Sequence, residues 1–258
     1  MEKLETKNYL QKRIVHFIFS EKWYNRIKVL KIIMNYKLGV PHELSPLLKE
    51  LISSNCIVLD IGANMGQYAC RINDIVKNGK GHVHCFEPVS DNFNSLKYLK
   101  EKLGLKSVTI NQLGVSNVVG ETMIYIPVFD NGLVIGTRST LRNISETKHK
   151  KELIKVTTID SYVTENHIQK IDFIKCDTEG NEINVLEGGK KTITRHLPVL
   201  SLEISYKSKG LDWLLDLGYE MYYYDNKINK LHKIVDYQSG NLILLNREHI
   251  ERMQRIID

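Results

Sequence analysis

The sequence predicts an α/β fold with a doubly wound sheet, in which helices cover both faces of mainly parallel strands. Residues 57–67 combine an apolar run suited to a strand buried on both faces, a turn with two glycines and the beginning of a helix. Residues 82–88 form a second strand-like segment that ends in Glu87, 27 residues after Asp60. This separation is about one β-α-β unit, so the two acidic residues should lie at one edge of the sheet.

The turn after the first strand predicts a nucleotide-like ligand, because glycines let the backbone approach closely and helix-start amides face the ligand. Asn64 replaces the middle glycine of a dinucleotide-binding loop, and Gln67 follows Gly66 where a phosphate loop has lysine. The remaining pattern, Asp60-x-Gly62-x-x-x-Gly66, resembles the first motif of S-adenosylmethionine (SAM) dependent methyltransferases. This resemblance implies a SAM site that includes Asp60, Gly62, Asn64 and Gly66.

Glu87 and Pro88 extend the expected cofactor site to the second strand. A carboxylate at this position can accept both ribose hydroxyls, and an equivalent acidic residue does so for NAD. Glu87 alone therefore leaves both cofactors open, whereas the missing middle glycine opposes a nicotinamide oxidoreductase. A third strand, predicted over 108–116, should place Gly114 and Ser116 beside the adenine, although these small residues could equally mark a turn.

Residues 171–189, which contain the run Asp177-Thr178-Glu179-Gly180, closely resemble the hallmark segment of the FkbM family of methyltransferases. The loop Asp-Ile-Gly-Ala-Asn-Met-Gly resembles the same family, and the similarity extends from about residue 56 to about residue 205. It implies a SAM-dependent O-methyltransferase with a seven-stranded, Rossmann-like sheet. Relatives in this family methylate hydroxyl groups of sugars or of polyketides and other natural products. A binding protein that keeps the fold without turnover is the remaining alternative.

Four residues are candidates for the catalytic chemistry, namely Asp177, Glu179, Lys175 and Glu203. An alcohol is a poor nucleophile at neutral pH, so Asp177 or Glu179 would serve as the general base, and Asp177 would also contact the cofactor. Either carboxylate could instead cap the helix that begins near residue 181. Lys175 points to the same strand face as Asp177 and would orient a carboxylate or form a structural ion pair. Histidine spacing predicts no metal site.

The segment 121–158 is predicted to be an insertion that lies near the acceptor. It contains two predicted strands, at 121–127 and 153–158, and the candidate substrate residues Arg138, Ser139 and Thr140. Its polar composition favours a sugar hydroxyl over a hydrophobic acceptor, on a nucleotide-activated sugar or a precursor of a surface or capsule polysaccharide. The remaining predicted strands are 173–177, 199–205, 221–224 and 241–245, and the last two should form an antiparallel hairpin.

Composition predicts one soluble domain in a reducing compartment. The chain has 258 residues, which suffices for one large α/β domain without disulfides, and its four cysteines show no metal-like spacing. We expect a cytoplasmic protein, because the first residues resemble no signal peptide and no run of 18 apolar residues occurs. We expect no nucleic-acid partner for the body of the protein, which holds 26 Lys and Arg against 25 Asp and Glu after residue 55.

The N-terminal segment 1–53 is predicted to be helical and to precede a methyltransferase domain at 54–258. It holds 10 Lys and Arg against 5 Asp and Glu, and a long helix is predicted over 8–38. The segment could cap the sheet, form a homodimer contact, or touch a membrane surface peripherally through residues 1–40. Its apolar stripe consists of Ile27, Leu30, Met34 and Leu38.

Overall fold

The fold is built on two sheets, which a computed structural model describes for residues 21–40, 44–128, 139–141, 148–204, 208–234 and 241–258. The strands are β1 (Ile57–Ile61), β2 (His82–Phe86), β3 (Val108–Asn111), β4 (Gly114–Val115), β5 (Gly120–Pro127), β6 (His149–Thr157), β7 (Phe173–Cys176), β8 (Val199–Glu203), β9 (Glu220–Asp225), β10 (Lys230–Lys233) and β11 (Asn241–Leu245). The larger sheet has the order β10-β9-β11-β8-β7-β1-β2-β3.

Helices cover both faces of the larger sheet, as predicted. They are α1 (Glu21–Lys37), α2 (Ser45–Leu51), α3 (Gln67–Val76), α4 (Ser90–Leu103), α5 (Ile159–Glu165), α6 (Glu182–Gly188), α7 (Lys190–His196), α8 (Asp212–Asp216) and α9 (Arg247–Met253). Successive residues of β1 point to opposite faces, so Val58 packs with α1 to α4 and Leu59 packs with α5 to α8. Burial on both faces explains why the central strands are almost continuously apolar.

The larger sheet has eight strands, so the prediction of seven was wrong. Strands β3, β2, β1, β7 and β8 are parallel, and β11 pairs antiparallel with both β8 and β9, as the predicted hairpin requires. The additional strand, β10, lies within the segment that was predicted to connect β9 to β11. Lys230–Lys233 turns back and pairs with β9 at the edge of the sheet. Its two lysines are typical of an edge strand, which must not pair further.

The predicted third strand, 108–116, is divided between the two sheets. β3 ends at Asn111, and Gly114–Val115 instead pairs with β6 in a separate three-stranded sheet of order β4-β6-β5. Strands β5 and β6 confirm the two strands predicted for the insertion, although β6 begins earlier than expected, at His149. The inner face of this small sheet is an apolar cluster beside the end of β2, formed by Val89, Ile124, Ile126, Ile154 and Val156.

Helix α1 packs against the domain through a different face from the one predicted. The stripe of Ile27, Leu30, Met34 and Leu38 is exposed, whereas Val29 and Ile33 are buried. Tertiary contacts with α3 and α4 account for this difference. Arg26 stacks on the ring of Tyr98 in α4, and the Tyr36 hydroxyl donates to Asp74 in α3 at 2.6 Å, which rotates the helix toward that side.

The first part of the helix predicted over 8–38 and half of the proposed membrane-contact segment 1–40 fall on residues 1–20, which lie outside the described residues. No helix in the described part of the chain combines the length and the apolar character needed to cross a bilayer. The predicted cytoplasmic location, homodimer and peripheral membrane contact stay predictions.

Gly62 follows β1 and lies directly against the backbone that follows β7, at the carboxyl edge of the sheet. Its φ is +76°, and a Cβ atom at this position would overlap the carbonyl oxygen of Asp177. The amide of Asp177 meanwhile donates to the Ile61 carbonyl at 3.1 Å. The two backbones can approach this closely only because residue 62 lacks a side chain.

Replacing Gly62 with alanine should therefore cost more than about 4 kcal/mol of unfolding free energy, because steric overlap adds to backbone strain. Gly104→Ala is the matched control, since Gly104 has a φ of +62° and a Cβ atom there would meet nothing within 4 Å. It should lose only about 1 kcal/mol. Urea unfolding of both variants measures the difference, and equal losses would show that the contact with Asp177 does not constrain residue 62.

Candidate functional site

The candidate site lies at the carboxyl ends of β1, β2 and β7, as predicted from the sequence. β1 lies between β2 and β7, and the chain leaves its two sides in opposite directions along the sheet. Such a switch in strand order opens a crevice at the carboxyl edge. Asp60, Glu87 and Asp177 lie on or directly after these three strands.

Glu87 is buried beneath the glycine loop and holds it. One carboxylate oxygen accepts from the Asn64 amide at 2.9 Å, and the other accepts from the Val89 amide at 3.0 Å and from the Asn92 side chain at 3.2 Å. Burial raises the pKa of Glu87 to about 7, and these hydrogen bonds oppose the rise. A carboxylate offers about four acceptor sites, so Glu87 keeps capacity for a ligand hydroxyl. Asn92, which steadies this carboxylate, was not predicted from the sequence.

A first crevice opens between Glu87 and the smaller sheet. Its lining includes Glu87 and Pro88 on one side and Leu113, Gly114, Ile124 and Ser139 on the other. Apolar side chains and a glycine leave a slot for a flat base, and Glu87 lies where a ribose would follow. The residues present therefore fit an adenosine group, and Asn64 and Asp177 reach the same crevice.

Two of the predicted cofactor residues lie behind the crevice. Ser116 is buried, and its amide donates to the Thr157 carbonyl at 2.9 Å because β4 pairs with β6. Gly66 begins α3 with a φ of +89° and packs against Leu96 of α4. Neither residue lines the first crevice, so both shape the fold around it, and their direct contact with a cofactor stays a prediction.

Lys175 is the centre of a buried charge cluster. Its ammonium group donates to Asp177 at 3.1 Å, lies 3.9 Å from a carboxylate oxygen of Asp60, and stands 4.6 Å from the centre of the Tyr68 ring. Burial would lower the pKa of Lys175, but Asp60 and Asp177 raise it above its ordinary value. Of the three expected partners, Asp177, Glu179 and Glu203, the structure shows Asp177, and the pairing with Asp60 was not expected.

Asp60 lies deeper than the sequence indicated. It is 0% exposed, and burial raises its pKa to about 6 even though Lys175 opposes the rise. Within the described residues its Oδ1 atom accepts no hydrogen bond. Asp60 lines neither the first crevice nor the second cavity described below. Its direct contact with the cofactor stays a prediction, whereas its ionic contact with Lys175 is part of the structure.

Asp177 and Glu203 form a carboxyl pair at the carboxyl ends of β7 and β8. A hydrogen bond between their side chains, together with partial burial and the charges of Asp177 and Glu179, raises the pKa of Glu203 to about 7. Glu203 was expected inside an apolar strand, but it is the last residue of β8 and is exposed. Its position at the strand end allows it to face the site while the preceding residues of β8 stay in the core.

The turn after Asp177 is held by Glu182, which was not predicted from the sequence. One Glu182 oxygen accepts from the Thr178 amide at 2.8 Å, from the Thr178 hydroxyl at 2.9 Å and from the Gly180 amide at 3.2 Å. Glu182 thus binds the amides that precede α6, which is the capping role that the sequence left open for Asp177 or Glu179. Asp177 stays in the site, and Glu179 is exposed with a φ of +53° and lines the first crevice.

The predicted substrate residues have different environments. Ser139 lines the first crevice, and Thr140 is buried in a backbone bridge with Tyr125 of β5. Arg138 lies outside the described residues. Among the residues that the structure describes, no group of three or more His, Cys, Asp or Glu side chains is arranged to hold a metal ion.

A second cavity of about 450 Å³ lies on the opposite side of the glycine loop. Helix α1 forms one wall with Lys28, Lys31 and Asn35, and the wall on the sheet side includes Tyr68, Lys175 and Asp177. Gly62, Asn64 and Asp177 line both cavities, so the two spaces adjoin at the loop. The sequence did not predict this cavity, because the rotation of α1 that brings the lysines to it depends on packing with α3 and α4.

Comparison with known proteins places the chain in a methyltransferase family. A model of the methyltransferase FkbM domain matches residues 60–230. The hexuronic acid methyltransferase AglP of Haloferax volcanii is 27% identical over 144 residues, which cover 55% of this chain and 53% of that protein. The chain therefore matches about half the length of this relative.

A solved structure shows the same fold. The methyltransferase FkbM of Methylobacillus flagellatus has a TM-score of 0.51 and 20% identity, and the match covers 75% of this chain and 44% of that one. The family and the fold support SAM as the cofactor, in agreement with the fit of the first crevice to an adenosine group. The hallmark segment, the glycine loop and the family match agree, and the chain belongs to the FkbM family of methyltransferases.

Proposed function

We propose that this protein is a SAM-dependent O-methyltransferase that methylates a sugar hydroxyl. The observation that carries the proposal is Asp177, which lines both the first crevice and the second cavity and whose carboxyl is hydrogen-bonded to Glu203. O-methylation needs a group that accepts the proton of the attacking hydroxyl, and the most effective base has a pKa near the working pH. The raised pKa of Glu203, about 7, meets this requirement.

The cofactor would be held mainly by the loop and by β2. Glu87 would accept from the ribose, Pro88 and Gly114 would contact the base, and the backbone of Gly62 and Asn64 would lie along the remainder. When bound, SAM supplies a methyl group already activated on a sulfonium. The protein therefore has to orient the acceptor oxygen, which can supply roughly 7–11 kcal/mol of barrier reduction in a favourable case, and to remove its proton.

The acceptor proton would go to the Asp177 and Glu203 pair. Lys175 holds Asp177 at 3.1 Å, and the hydrogen bond with Asp177 is the largest cause of the raised pKa of Glu203, so Glu203 keeps its proton below about pH 7. Above about pH 7 Glu203 is ionised and can accept a proton from a hydroxyl. Glu179 raises and Lys175 lowers the pKa of Glu203, while Glu203 would act as the base.

A sugar acceptor is favoured by the chemistry of the second cavity. Most of the residues that line it are polar or charged, and its lysine, asparagine, glutamine and aspartate side chains can hydrogen-bond to a polyhydroxyl ligand. A hydrophobic natural product would need more apolar lining. The relative from Haloferax volcanii is a hexuronic acid methyltransferase by name, which also supports a sugar. A nucleotide-activated sugar or a surface-polysaccharide precursor remains our preferred acceptor.

Cofactor binding is the first prediction. Calorimetry with S-adenosylhomocysteine (SAH) should show a saturable site, and Glu87→Gln should weaken binding roughly 10- to 100-fold, because a hydrogen bond to a charged group is lost. Glu101→Gln, on the exposed side of α4, is the matched control and should bind normally. No saturable binding by the folded wild-type protein at millimolar SAH would refute the assignment of the cofactor.

The pH dependence of turnover is the second prediction. Nucleotide-activated sugars and hexuronic acids would be screened by mass spectrometry for the gain of one methylene unit, and the best acceptor would be used. Below pH about 7, kcat/KM should fall about tenfold per pH unit, because Glu203 must be ionised to accept the proton. Glu203→Gln should lower kcat at least ~10²-fold and abolish this limb of the profile.

Glu165→Gln, at an exposed position of α5, controls for the general loss of a carboxylate. An unchanged limb in Glu203→Gln with near-normal turnover would show that Glu203 is not the base. If only Asp177→Asn removed the fall of kcat/KM at low pH, Asp177 would be the base.

A further inference from the structure

We propose that Lys28 and Lys31 of α1 form an anion subsite of the active site, which binds a carboxylate or phosphate group of a ligand in the second cavity. The inference rests on the proposed function and extends it by naming the charge of the group that is recognised. Two ligands could supply this chemistry, namely the amino-acid carboxylate of the cofactor and an acidic group on the acceptor sugar. The subsite gives α1 a role in recognition in addition to its packing on the domain.

The orientation of α1 directs these lysines to the cavity. Val29 and Ile33 are buried, and the Tyr36 hydroxyl is fixed on Asp74 at 2.6 Å. Lys28 and Lys31 are three residues apart and therefore share one side of the helix. Both line the cavity, and Lys28 is partly buried. A ligand there would meet two ammonium groups on a helix that the core holds in place.

The charge of the cavity favours an anion. Its charged lining consists of three lysines, Lys28, Lys31 and Lys175, against one aspartate, Asp177. Lys175 already lies between Asp177, at 3.1 Å, and Asp60, at 3.9 Å, so its charge is offset within the domain. The residues of α1 that line the cavity include two lysines and no acidic residue, and a cleft lined by one sign of charge attracts a carboxylate or phosphate.

The position of the subsite matches the proposed reaction. Gly62, Asn64 and Asp177 line both cavities, so a ligand beside the α1 lysines also reaches Asp177, the hydrogen-bond partner of the proposed base Glu203. A group anchored at α1 is held from the side opposite the adenosine crevice. Anchoring a ligand at two separated points restricts its rotation, which is what orientation of an acceptor hydroxyl or of a methyl donor requires.

The test compares Lys28→Met/Lys31→Met with Lys28→Arg/Lys31→Arg. Methionine keeps much of the apolar stem without the charge, and arginine keeps the charge. Lys37→Met is the control, because Lys37 is exposed on the same helix and is absent from the cavity lining. Calorimetry would use SAH, then 5′-methylthioadenosine, which lacks the amino-acid group. Protein saturated with SAH would finally be titrated with glucuronic acid 1-phosphate and with glucose.

We expect the double methionine variant to lose roughly 10-fold or more in affinity for an anionic ligand, while the arginine variant and Lys37→Met retain it. A loss for SAH but not for 5′-methylthioadenosine would assign the subsite to the cofactor carboxylate. A loss for glucuronic acid 1-phosphate with unchanged SAH affinity would assign it to the acceptor.

Unchanged affinity of the methionine variant for both anionic ligands, with normal SAH binding by the wild type, would overturn the subsite and leave the proposed function standing. Failure of the wild-type protein to bind SAH would instead remove the proposed function and the subsite with it. Thermal unfolding of each variant would verify that α1 is still packed on the domain.

Discussion

The buried ammonium group of Lys175 is the interaction on which the site depends. It lies between Asp60 at the end of β1 and Asp177 directly after β7, within 3.9 Å of one and 3.1 Å of the other. Two carboxylates this close would repel each other strongly away from water, so the lysine makes their proximity possible. The same cation fixes the Asp177 carboxyl, and the hydrogen bond and charge of Asp177 raise the pKa of Glu203. One lysine thus links the folding of two strands to the proton chemistry proposed for their ends.

Backbone contacts hold the loops around this cluster. Gly62 allows the chain after β1 to touch the chain after β7, Glu87 binds the amide of Asn64, and Glu182 binds two amides of the turn after Asp177. Each of these contacts joins residues that leave the carboxyl edge of the sheet. The site is therefore positioned by short, mostly buried interactions, as the small tolerances of group transfer require.

Local sequence patterns predict much of this arrangement. The strand and glycine turn at 57–67, the acidic end of β2 and the hallmark segment at 171–189 depend on short-range geometry. They predicted the α/β class, the position of Glu87 at the sheet edge, and a carboxylate partner for Lys175. What they missed depends on contacts between distant segments. Contacts with α3 and α4 set the rotation of α1. Pairing of β4 with β6 sets the position of Ser116, and β10 forms by pairing with the edge of β9. The second cavity is likewise formed by segments that lie far apart in the sequence.

The central claim is that Lys175 compensates the buried charge of Asp60, and a double-mutant cycle tests it most directly. Urea unfolding at about pH 8 would compare the wild type with Lys175→Met, Asp60→Asn and the double variant, since Asp60 is then ionised in the folded wild type. Lys175→Met should cost about 3–5 kcal/mol, because it leaves a carboxylate buried without its partner. Adding Asp60→Asn should recover about 2 kcal/mol or more of that loss. Strictly additive effects of the two substitutions would contradict the account.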